Sequence, residues 1–254
     1  MLYSFILISL AVSISFQQDP SLDTNAWLEK YDKYRKVIEE NTEITNEDNL
    51  TPEIRLHLIT PKSRLWNAKT QDSPFKDSPF FAFYWAGGQG LTRYILDHPE
   101  IVRGQRVLDL GSGCGATAIA AARCGAKSVT ANDIDPLTCY GIAMNAKLND
   151  VNINIRSDNL VHQNSSHKQW DTILLADMFY HPDDANEYLP WLKLGCRLGV
   201  NVIIGDPGEI FRSRIKPKEL KQLKHYFMPD VMAEKQGHIT TEIWDFCHCL
   251  KTSQ

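Results

Sequence analysis

Apolar and polar residues alternate in two different ways along the second half of the chain. Short apolar runs predict buried parallel strands, and the segments between them carry apolar residues at helical spacing. The predicted strands are Arg106–Leu110, Ser128–Asn132, Asn152–Arg156, Thr172–Leu175 and Val200–Gly205, followed by the alternating stretch Ile239–Leu250. The predicted helices are Ala116–Cys124, Pro136–Leu148, Asp184–Leu194 and Pro217–His225. Strands that alternate with helices indicate a Rossmann-like, doubly wound α/β sheet with mostly parallel strands.

Residues 21–100 have a different pattern. An apolar stripe at helical spacing predicts a helix over Asn25–Thr42, and alternation predicts a strand over Leu50–Ile59. A loop at Asp72–Asp77 and a helix at Leu91–Leu96 follow. We therefore expect residues 21–100 to form an N-terminal helical extension, which completes the ligand site of a main domain at 101–254.

Residues 1–20 form a separate apolar segment. Leu2–Phe16 contains no basic residue, and the first basic residue of the chain is Lys30. The run is shorter than the about 20 residues of a membrane-spanning helix, and it lacks the cationic start of a signal peptide. We expect no stable membrane insertion. An atypical targeting signal and a wrongly assigned start both stay open.

The composition indicates a globular domain with a small extension. The chain has 254 residues, of which 43% are hydrophobic and 23% are charged, enough for a sizeable core. Its formal net charge of −4 argues against a general nucleic-acid-binding protein, which is normally basic.

The cysteines point to a reducing compartment. All six, Cys114, Cys124, Cys139, Cys196, Cys247 and Cys249, are scattered over the predicted core elements, without the spacing of a disulfide framework. We therefore expect free thiols. In a strand, Cys247 and Cys249 share one face and His248 takes the other, so the three cannot bind one ion, and we expect no metal site.

The stretch RVLDLGSGCGA, Arg106–Ala116, has the features of a nucleotide-binding turn. An apolar strand leads into Gly111, Gly113 and Gly115, which allow a sharp turn and the close approach of a ligand. A helix then begins at Ala116, and its free N–H groups face the ligand.

Two acidic residues select the ligand. Dinucleotide-binding turns space their glycines as G-x-G-x-x-G, whereas this chain has G-S-G-C-G. Asp109, just before the glycines, suits a ligand with an amino group and a sulfonium centre, because opposite charges attract in a partly buried site. Asp133 lies 22 residues after Gly111, where a carboxylate accepts hydrogen bonds from ribose hydroxyls. We therefore predict S-adenosyl-L-methionine rather than a dinucleotide as the cofactor.

Three further residues follow later strands. Asp158, after the third predicted strand, is expected to meet the adenine amino group, with an ordinary polar loop as the alternative. Asp177 and Tyr180 follow the fourth strand at the edge where such sheets bind ligands, so we expect both to face the transferred methyl group. For Tyr180 the alternative is hydrophobic packing at the strand end.

Several motifs of the chain resemble those of a known family. The sequence DMFY at Asp177–Tyr180 resembles the D-x-x-Y motif of the seven-strand protein lysine methyltransferases. A series of blocks is similar to the electron transfer flavoprotein beta subunit lysine methyltransferases within that class, although Ala86 stands where that family has proline. The blocks are Thr51–Trp66, Phe80–Pro99, Val107–Ala121, Ala131–Pro136, Asp177–Tyr180 and Ile204–Gly208.

The resemblance implies a seven-stranded sheet and S-adenosylmethionine-dependent methylation of lysines on the beta subunit of electron transfer flavoprotein. Such methylation would weaken docking to dehydrogenases and slow electron transfer. Trp85 and Gly88 would pack on the methionine half of the cofactor, while Asp177 captures and orients the lysine and Tyr180 lines its channel. The resemblance also implies the mitochondrial matrix, with the cytoplasm as the alternative because the N-terminal segment is atypical.

Three other functions stay open on the sequence. The first is a methyltransferase with another protein substrate, such as a ribosomal protein. The second is a non-catalytic module that binds the cofactor, which the intact DMFY motif disfavours. The third is an NAD-dependent oxidoreductase, which the glycine spacing disfavours.

Overall fold

The computed structural model describes residues 21–68, 73–75, 79–161, 163, 166–180, 183–208, 215, 220–230 and 237–248. The N-terminal segment 1–20, half of the predicted loop Asp72–Asp77 and Cys249 lie outside these residues. The described strands are β1 (Leu22–Asp23), β2 (Glu43–Thr45), β3 (Leu56–Leu58), β4 (Arg106–Leu110), β5 (Ser128–Asn132), β6 (Asn154–Arg156), β7 (Thr172–Ala176), β8 (Asn201–Asp206), β9 (Lys221–Phe227) and β10 (Thr240–Asp245). The α-helices are α1 (Thr24–Lys30), α2 (Arg35–Glu39), α3 (Ala86–Asp97), α4 (Ala116–Arg123), α5 (Pro136–Leu148) and α6 (Asp184–Arg197).

A single large sheet organises the molecule. Its strand order is β1-β6-β5-β4-β7-β8-β10-β9, with β6, β5, β4, β7 and β8 parallel and β10 antiparallel to both of its neighbours. The predicted Rossmann-like doubly wound fold is therefore confirmed, and the two-residue strand β1 adds an eighth strand at one edge. The chain changes its winding direction between β4 and β7, and such a switch point opens a crevice at the carboxyl ends of the strands.

Helices cover both faces of this sheet. On β4, Val107 packs in the cluster formed with α3, α4 and α5, whereas Leu108 and Leu110 pack in the cluster formed with α6. All three side chains are buried. Adjacent residues of a strand point to opposite faces, so a strand that is covered on both sides must be apolar at nearly every position.

Most predicted elements of the main sheet are found close to their predicted bounds, but one prediction was wrong. The strand–helix alternation predicts a helix over Pro217–His225, whereas Lys221–Phe227 forms the edge strand β9, paired antiparallel with β10. Pairing with a distant strand therefore overrides the local helix preference. The predicted last strand, Ile239–Leu250, is shorter and ends at Asp245.

The extension is more broken than its pattern predicted. The expected helix Asn25–Thr42 is divided into α1 and α2 by a 3-10 turn at Asp32–Tyr34. The expected strand Leu50–Ile59 is reduced to β3, because a turn in which the Ile54 N–H bonds to the Thr51 carbonyl comes first. β3 pairs with β2 in a separate two-stranded sheet.

The prediction of free thiols was wrong for one pair. Cys196, at the end of α6, forms a disulfide with Cys247, just after β10, and their Cα atoms are 5.3 Å apart. The two residues are 51 positions apart in sequence, and only the packing of α6 against the sheet brings them together. Cys114, Cys124 and Cys139 are free thiols.

The start of α3 lies directly against the backbone of β8. A Cβ atom on Gly87 would collide with the carbonyl oxygen of Gly205, and a Cβ atom on Gly205 would collide with the carbonyl oxygen of Gly87. Both positions therefore require glycine, because an added methyl group would meet backbone atoms, which cannot move aside as a flexible side chain could. Ala86 is the first residue of α3, the position at which proline is favoured in helices, so the helix forms here with alanine at that position.

Gly87→Ala should destabilise the fold while Gly88→Ala does not. Because the new methyl group of the first variant meets backbone atoms, we expect a loss of about 1–3 kcal/mol in the free energy of unfolding. At Gly88 the atoms nearest to an added Cβ would be 3.7 Å away, an ordinary contact. Alanine also favours the helix by up to about 1 kcal/mol, so this control should be neutral or stabilising. Urea unfolding measures both, and equal stabilities would refute the close packing.

Candidate functional site

The glycine turn follows β4 at the switch point of the sheet and leads into α4. Gly111, Gly113 and Gly115 all have positive φ angles, 67°, 53° and 81°, which explains why the turn contains glycine at each position. Their surroundings differ. A Cβ on Gly113 would meet no atom within 4 Å, so this position offers the open surface that a ligand could approach.

Asp109 ties the glycine turn to α4. It is buried at 2% exposure, and its Oδ2 accepts hydrogen bonds from the Ser112 hydroxyl (2.5 Å) and the Ala118 N–H (3.1 Å). Burial raises the pKa of this carboxyl to about 6, although both hydrogen bonds act to lower it. Asp109 therefore both shapes the turn and brings negative charge to it.

Asp133 joins the glycine turn to the end of β5. Its carboxylate accepts hydrogen bonds from the N–H groups of Gly113 (3.3 Å) and Asp135 (3.1 Å). Burial is the largest cause that raises its pKa to about 7, and the charges of Asp135 and Asp109 add to it. Sequence reasoning had predicted both Asp133 and the glycine turn for the same ligand, and here they lie in direct contact.

Asp177 binds the start of α3. Its carboxylate accepts the N–H groups of Gly87 (2.9 Å) and Gly88 (2.6 Å), and its own N–H donates to the Gly205 carbonyl (3.1 Å). Its φ angle is 53°, in the left-handed region that only glycine adopts easily, so the contacts hold a strained backbone in place. Burial raises the pKa of Asp177 to about 6. An anion at a helix N-terminus is stabilised by the helix dipole.

The carboxyl groups of Asp109, Asp133 and Asp177 lie around the glycine turn. The charges of Asp109 and Asp177 both raise the pKa of the Cys114 thiol, after the larger effect of its burial, so both acids lie close to the glycine turn. Within the described part of the chain, neither these two nor Asp133 forms an ion pair with lysine or arginine. Partly buried, unpaired carboxyls favour a ligand that brings positive charge.

Asp158 lies at the end of β6, where it was predicted, but its carboxylate is already engaged. Arg156 binds it through two nitrogens, at 2.9 and 2.6 Å, and the Gln163 amide donates to it at 2.7 Å. Burial alone would raise the pKa of Asp158, and these donors outweigh it and lower the pKa. In this arrangement Asp158 shapes the loop after β6.

The two predicted aromatic residues lie at the surface of the site. Trp85 is the last residue before α3, and its indole N–H donates to the Phe80 carbonyl at 3.0 Å. Gly88, in the first turn of α3, is held by Asp177 as described. Tyr180 follows β7 and is 71% exposed.

Two further residues of the site have partners that are distant in sequence. The side chain of Met178 packs directly on Gly111, in the space that a Cβ atom would need there. The Asn132 amide holds the end of β6 by donating to the carbonyls of Arg156 and Asp158, both at 2.9 Å. Met178 could have been singled out from its place in DMFY, whereas Asn132 carries no signal of its own.

Known proteins similar to this chain are methyltransferases. The family model "Ribosomal protein L11 methyltransferase (PrmA)" matches residues 92–181. The electron transfer flavoprotein beta subunit lysine methyltransferase of Rattus norvegicus is 44% identical over 219 residues, covering 84% of each chain. The human protein of that name is 42% identical over 217 residues, covering 84% of this chain and 81% of its own. The Caenorhabditis elegans homologue is 38% identical, covering 81% of this chain and 92% of its own.

The chain belongs to the electron transfer flavoprotein beta subunit lysine methyltransferase family. It is therefore an S-adenosylmethionine-dependent lysine methyltransferase, as the resemblance of its motifs implied. A solved ribosomal protein L11 methylase from Lactobacillus delbrueckii subsp. bulgaricus is more distant, at 20% identity and a TM-score of 0.46, covering 61% of this chain and 76% of that one.

The site fits this cofactor. S-adenosylmethionine carries an ammonium and a sulfonium, and the carboxyls of Asp109 and Asp133 would supply the opposite charge. Gly113 leaves the turn open beside Asp133. Within the described residues no group of three or more metal-binding side chains is found, and no helix is long and apolar enough to cross a membrane.

Asp133→Asn should change how the stability of this methyltransferase depends on pH. In the folded protein the pKa of the Asp133 carboxyl is about 7, whereas in the unfolded chain this carboxyl has its ordinary pKa of about 4. Between these two values the folded protein therefore retains a proton that the unfolded chain has released. The contribution of this carboxyl to stability therefore falls as pH rises from about 4 to about 7. Asparagine never ionises, so as pH rises from about 4 to about 7 the variant should gain stability relative to the wild type, by at most about 1.4 kcal/mol for each unit of pKa shift.

Urea unfolding of both proteins across this range, without cofactor, measures the difference. The lowered pKa values of His57 and His167 act in the opposite direction, because burial favours their neutral forms. They act equally in both proteins and cancel in the comparison. Two pH curves that run parallel would show that Asp133 is not the buried acid described here.

Proposed function

We propose that the enzyme methylates lysine side chains on the beta subunit of electron transfer flavoprotein. The main support for this substrate is that the chain is 38–44% identical, over most of its length, to relatives named electron transfer flavoprotein beta subunit lysine methyltransferase. Methylation keeps the positive charge of lysine but removes hydrogen-bond donors and adds bulk. It would weaken the docking of dehydrogenases and so lower the rate of electron transfer. From the family resemblance we infer a location in the mitochondrial matrix.

For the cofactor, we propose a set of residues along the carboxyl ends of the strands. They are Trp85, Gly88, Asp109, Gly111, Gly113, Gly115, Asp133 and Asp158. Asp109 and Asp133 supply negative charge, and the N–H groups at the start of α4 point into the same space. Asp158 contributes through the shape of its loop, since Arg156 and Gln163 hold its carboxylate.

For catalysis, we propose that Asp177 captures and orients the acceptor lysine while Tyr180 lines its channel. Each oxygen of the Asp177 carboxylate accepts one backbone N–H and keeps a second lone pair for an ammonium. With a pKa of about 6, Asp177 is mostly ionised at neutral pH. S-adenosylmethionine supplies a methyl group on a sulfonium centre.

The lysine must lose its proton before it can attack. Its ordinary pKa is about 10.4, and an apolar, aromatic channel lowers this value because it disfavours the charged ammonium. The negative charge of Asp177 raises the pKa of the lysine, so the role of Asp177 is to position the amine rather than to deprotonate it. The proton leaves to solvent. Alignment of the amine with the methyl group can supply several kcal/mol of the rate acceleration.

A second substrate class has one specific observation in its favour. The PrmA model matches residues 92–181, and a ribosomal protein L11 methyltransferase from Bradyrhizobium diazoefficiens is 42% identical over 77 residues. That match covers 29% of this chain, and the PrmA model matches the stretch that contains the glycine turn, Asp133 and Asp177. It therefore supports the reaction class more than the substrate.

Incubation of the purified enzyme with radiolabelled S-adenosylmethionine should label purified electron transfer flavoprotein on its beta subunit. Ribosomal protein L11 serves as the comparison substrate, and mass spectrometry maps the methylated lysines. We expect the flavoprotein to carry at least about ten times as much label as L11. A tenfold preference corresponds to a free-energy difference of about 1.4 kcal/mol between the two substrates. Preferential labelling of L11 would assign the enzyme to the second class.

Asp177→Asn should lower the rate of methylation at least tenfold, because a neutral amide cannot pair with the ammonium; tenfold corresponds to about 1.4 kcal/mol. Affinity for S-adenosylmethionine, measured by calorimetry, should stay within about twofold, which is about 0.4 kcal/mol. The melting temperature is recorded alongside, because the amide also replaces one acceptor for Gly87 or Gly88. Unchanged turnover in a folded variant would exclude this role for Asp177.

A further inference from the structure

Two large aromatic side chains are exposed beside the site. Tyr180 is 71% exposed and Phe80 is 60% exposed, in a chain whose other aromatic residues are mostly buried or half-buried. Tyr180 lies three residues after Asp177. The Phe80 carbonyl accepts a hydrogen bond from the Trp85 indole. Trp85 immediately precedes α3, and the Asp177 carboxylate binds the first N–H groups of that helix. Tyr180 is thus close in sequence to the residue that we assign to the acceptor lysine, and Phe80 is linked to the start of the helix that this residue holds.

Phe80 belongs to a row of aromatic rings. The ring centroids of Phe80 and Trp85 are 6.1 Å apart, those of Trp85 and Phe83 are 5.8 Å apart, and those of Phe83 and Trp66 are 6.4 Å apart. We call Phe80, Phe83, Trp85 and Trp66 the aromatic row. Three of its members are half-buried, so their mutual contacts hold a rigid surface from which Phe80 projects. Large exposed aromatic residues at a functional site are typical of protein interaction surfaces.

Negative charge surrounds Tyr180. The pKa of its hydroxyl is raised first by desolvation and then by the charges of Asp184, Asp133 and Glu187. Asp184 and Glu187 belong to the first turn of α6, directly after the D-x-x-Y segment. Aromatic faces and carboxylates in one place both attract cations.

We propose that the aromatic row and Tyr180, with Asp184 and Glu187, dock a basic segment of the protein substrate, in which the acceptor lysine is accompanied by further lysine or arginine residues. The inference rests on the proposed function and specifies which surface of a substrate is selected. The apolar stems of such residues cover the rings, while their charged ends face the carboxylates. A purely apolar partner would desolvate these carboxylates without bringing positive charge, and a second copy of this chain, at a net charge of −4, would add like charge.

Steady-state kinetics on intact electron transfer flavoprotein test the docking surface. Phe80→Ser removes the exposed ring but keeps the backbone carbonyl that holds Trp85, so the site itself stays assembled. We expect KM for the flavoprotein to rise at least about fivefold, or about 1 kcal/mol, with kcat and S-adenosylmethionine affinity within about twofold. The matched control is Phe227→Ser, which removes a ring that is 74% exposed on the edge strand β9. It should leave KM unchanged.

Variants that remove a negative charge test the acidic part of the same surface. Glu187→Gln should raise KM for the flavoprotein about twofold or more at low salt, an effect that fades as salt screens the interaction. Glu29→Gln, an exposed acid on α1, is its control. Analytical ultracentrifugation of the wild type and the Phe80→Ser variant reports whether this surface joins two copies of the chain.

The outcomes separate the two proposals. An active wild type with raised KM in Phe80→Ser and Glu187→Gln, but not in the controls, supports the docking surface. An active wild type with unchanged KM in both variants, or a wild-type dimer that Phe80→Ser dissociates, overturns the docking surface and leaves the proposed function intact. A folded wild type that does not label the flavoprotein overturns the proposed function, and the docking proposal with it.

Discussion

The architecture of this methyltransferase depends on the contact between the Asp177 carboxylate and the first N–H groups of α3. Those N–H groups lack partners within the helix, and the carboxylate at the end of β7 satisfies two of them. The same contact places Trp85 beside the carboxyl end of β7. The extension is thereby attached to the main sheet at the end where we propose that methyl transfer occurs.

This arrangement carries an electrostatic cost. Asp109, Asp133 and Asp177 are all partly or wholly desolvated, and their raised pKa values reflect the free energy needed to keep them ionised. Hydrogen bonds from backbone N–H groups and from Ser112 offset part of that cost. A cationic ligand would offset more of it, so ligand binding and fold stability are coupled through the same three groups.

The sequence predicts those parts of the fold and the site that local pattern determines. β4, β5 and α5 are found at their predicted bounds, and the glycine turn and its two acids are recognisable because their spacing follows from the ligand's chemistry. β9 and the disulfide could not be predicted in this way, since both depend on tertiary packing. The contact of Asp177 with α3 likewise joins distant parts of the chain. Asp158 was chosen for its position after a strand, and nothing in the local pattern marked its pairing with Arg156.

The small strand β1 has a consequence for solubility. Leu22 and Asp23 pair with β6, and the Trp27 indole donates to the Ile155 carbonyl at 3.0 Å, so the first described residues cover the edge of the main sheet. Uncovered strand edges recruit strands from other molecules. A chain that began after residue 27 would present the backbone of β6 to its neighbours. The N-terminal extension therefore protects one edge of the sheet from aggregation and, through the start of α3, contacts Asp177 at the end of β7.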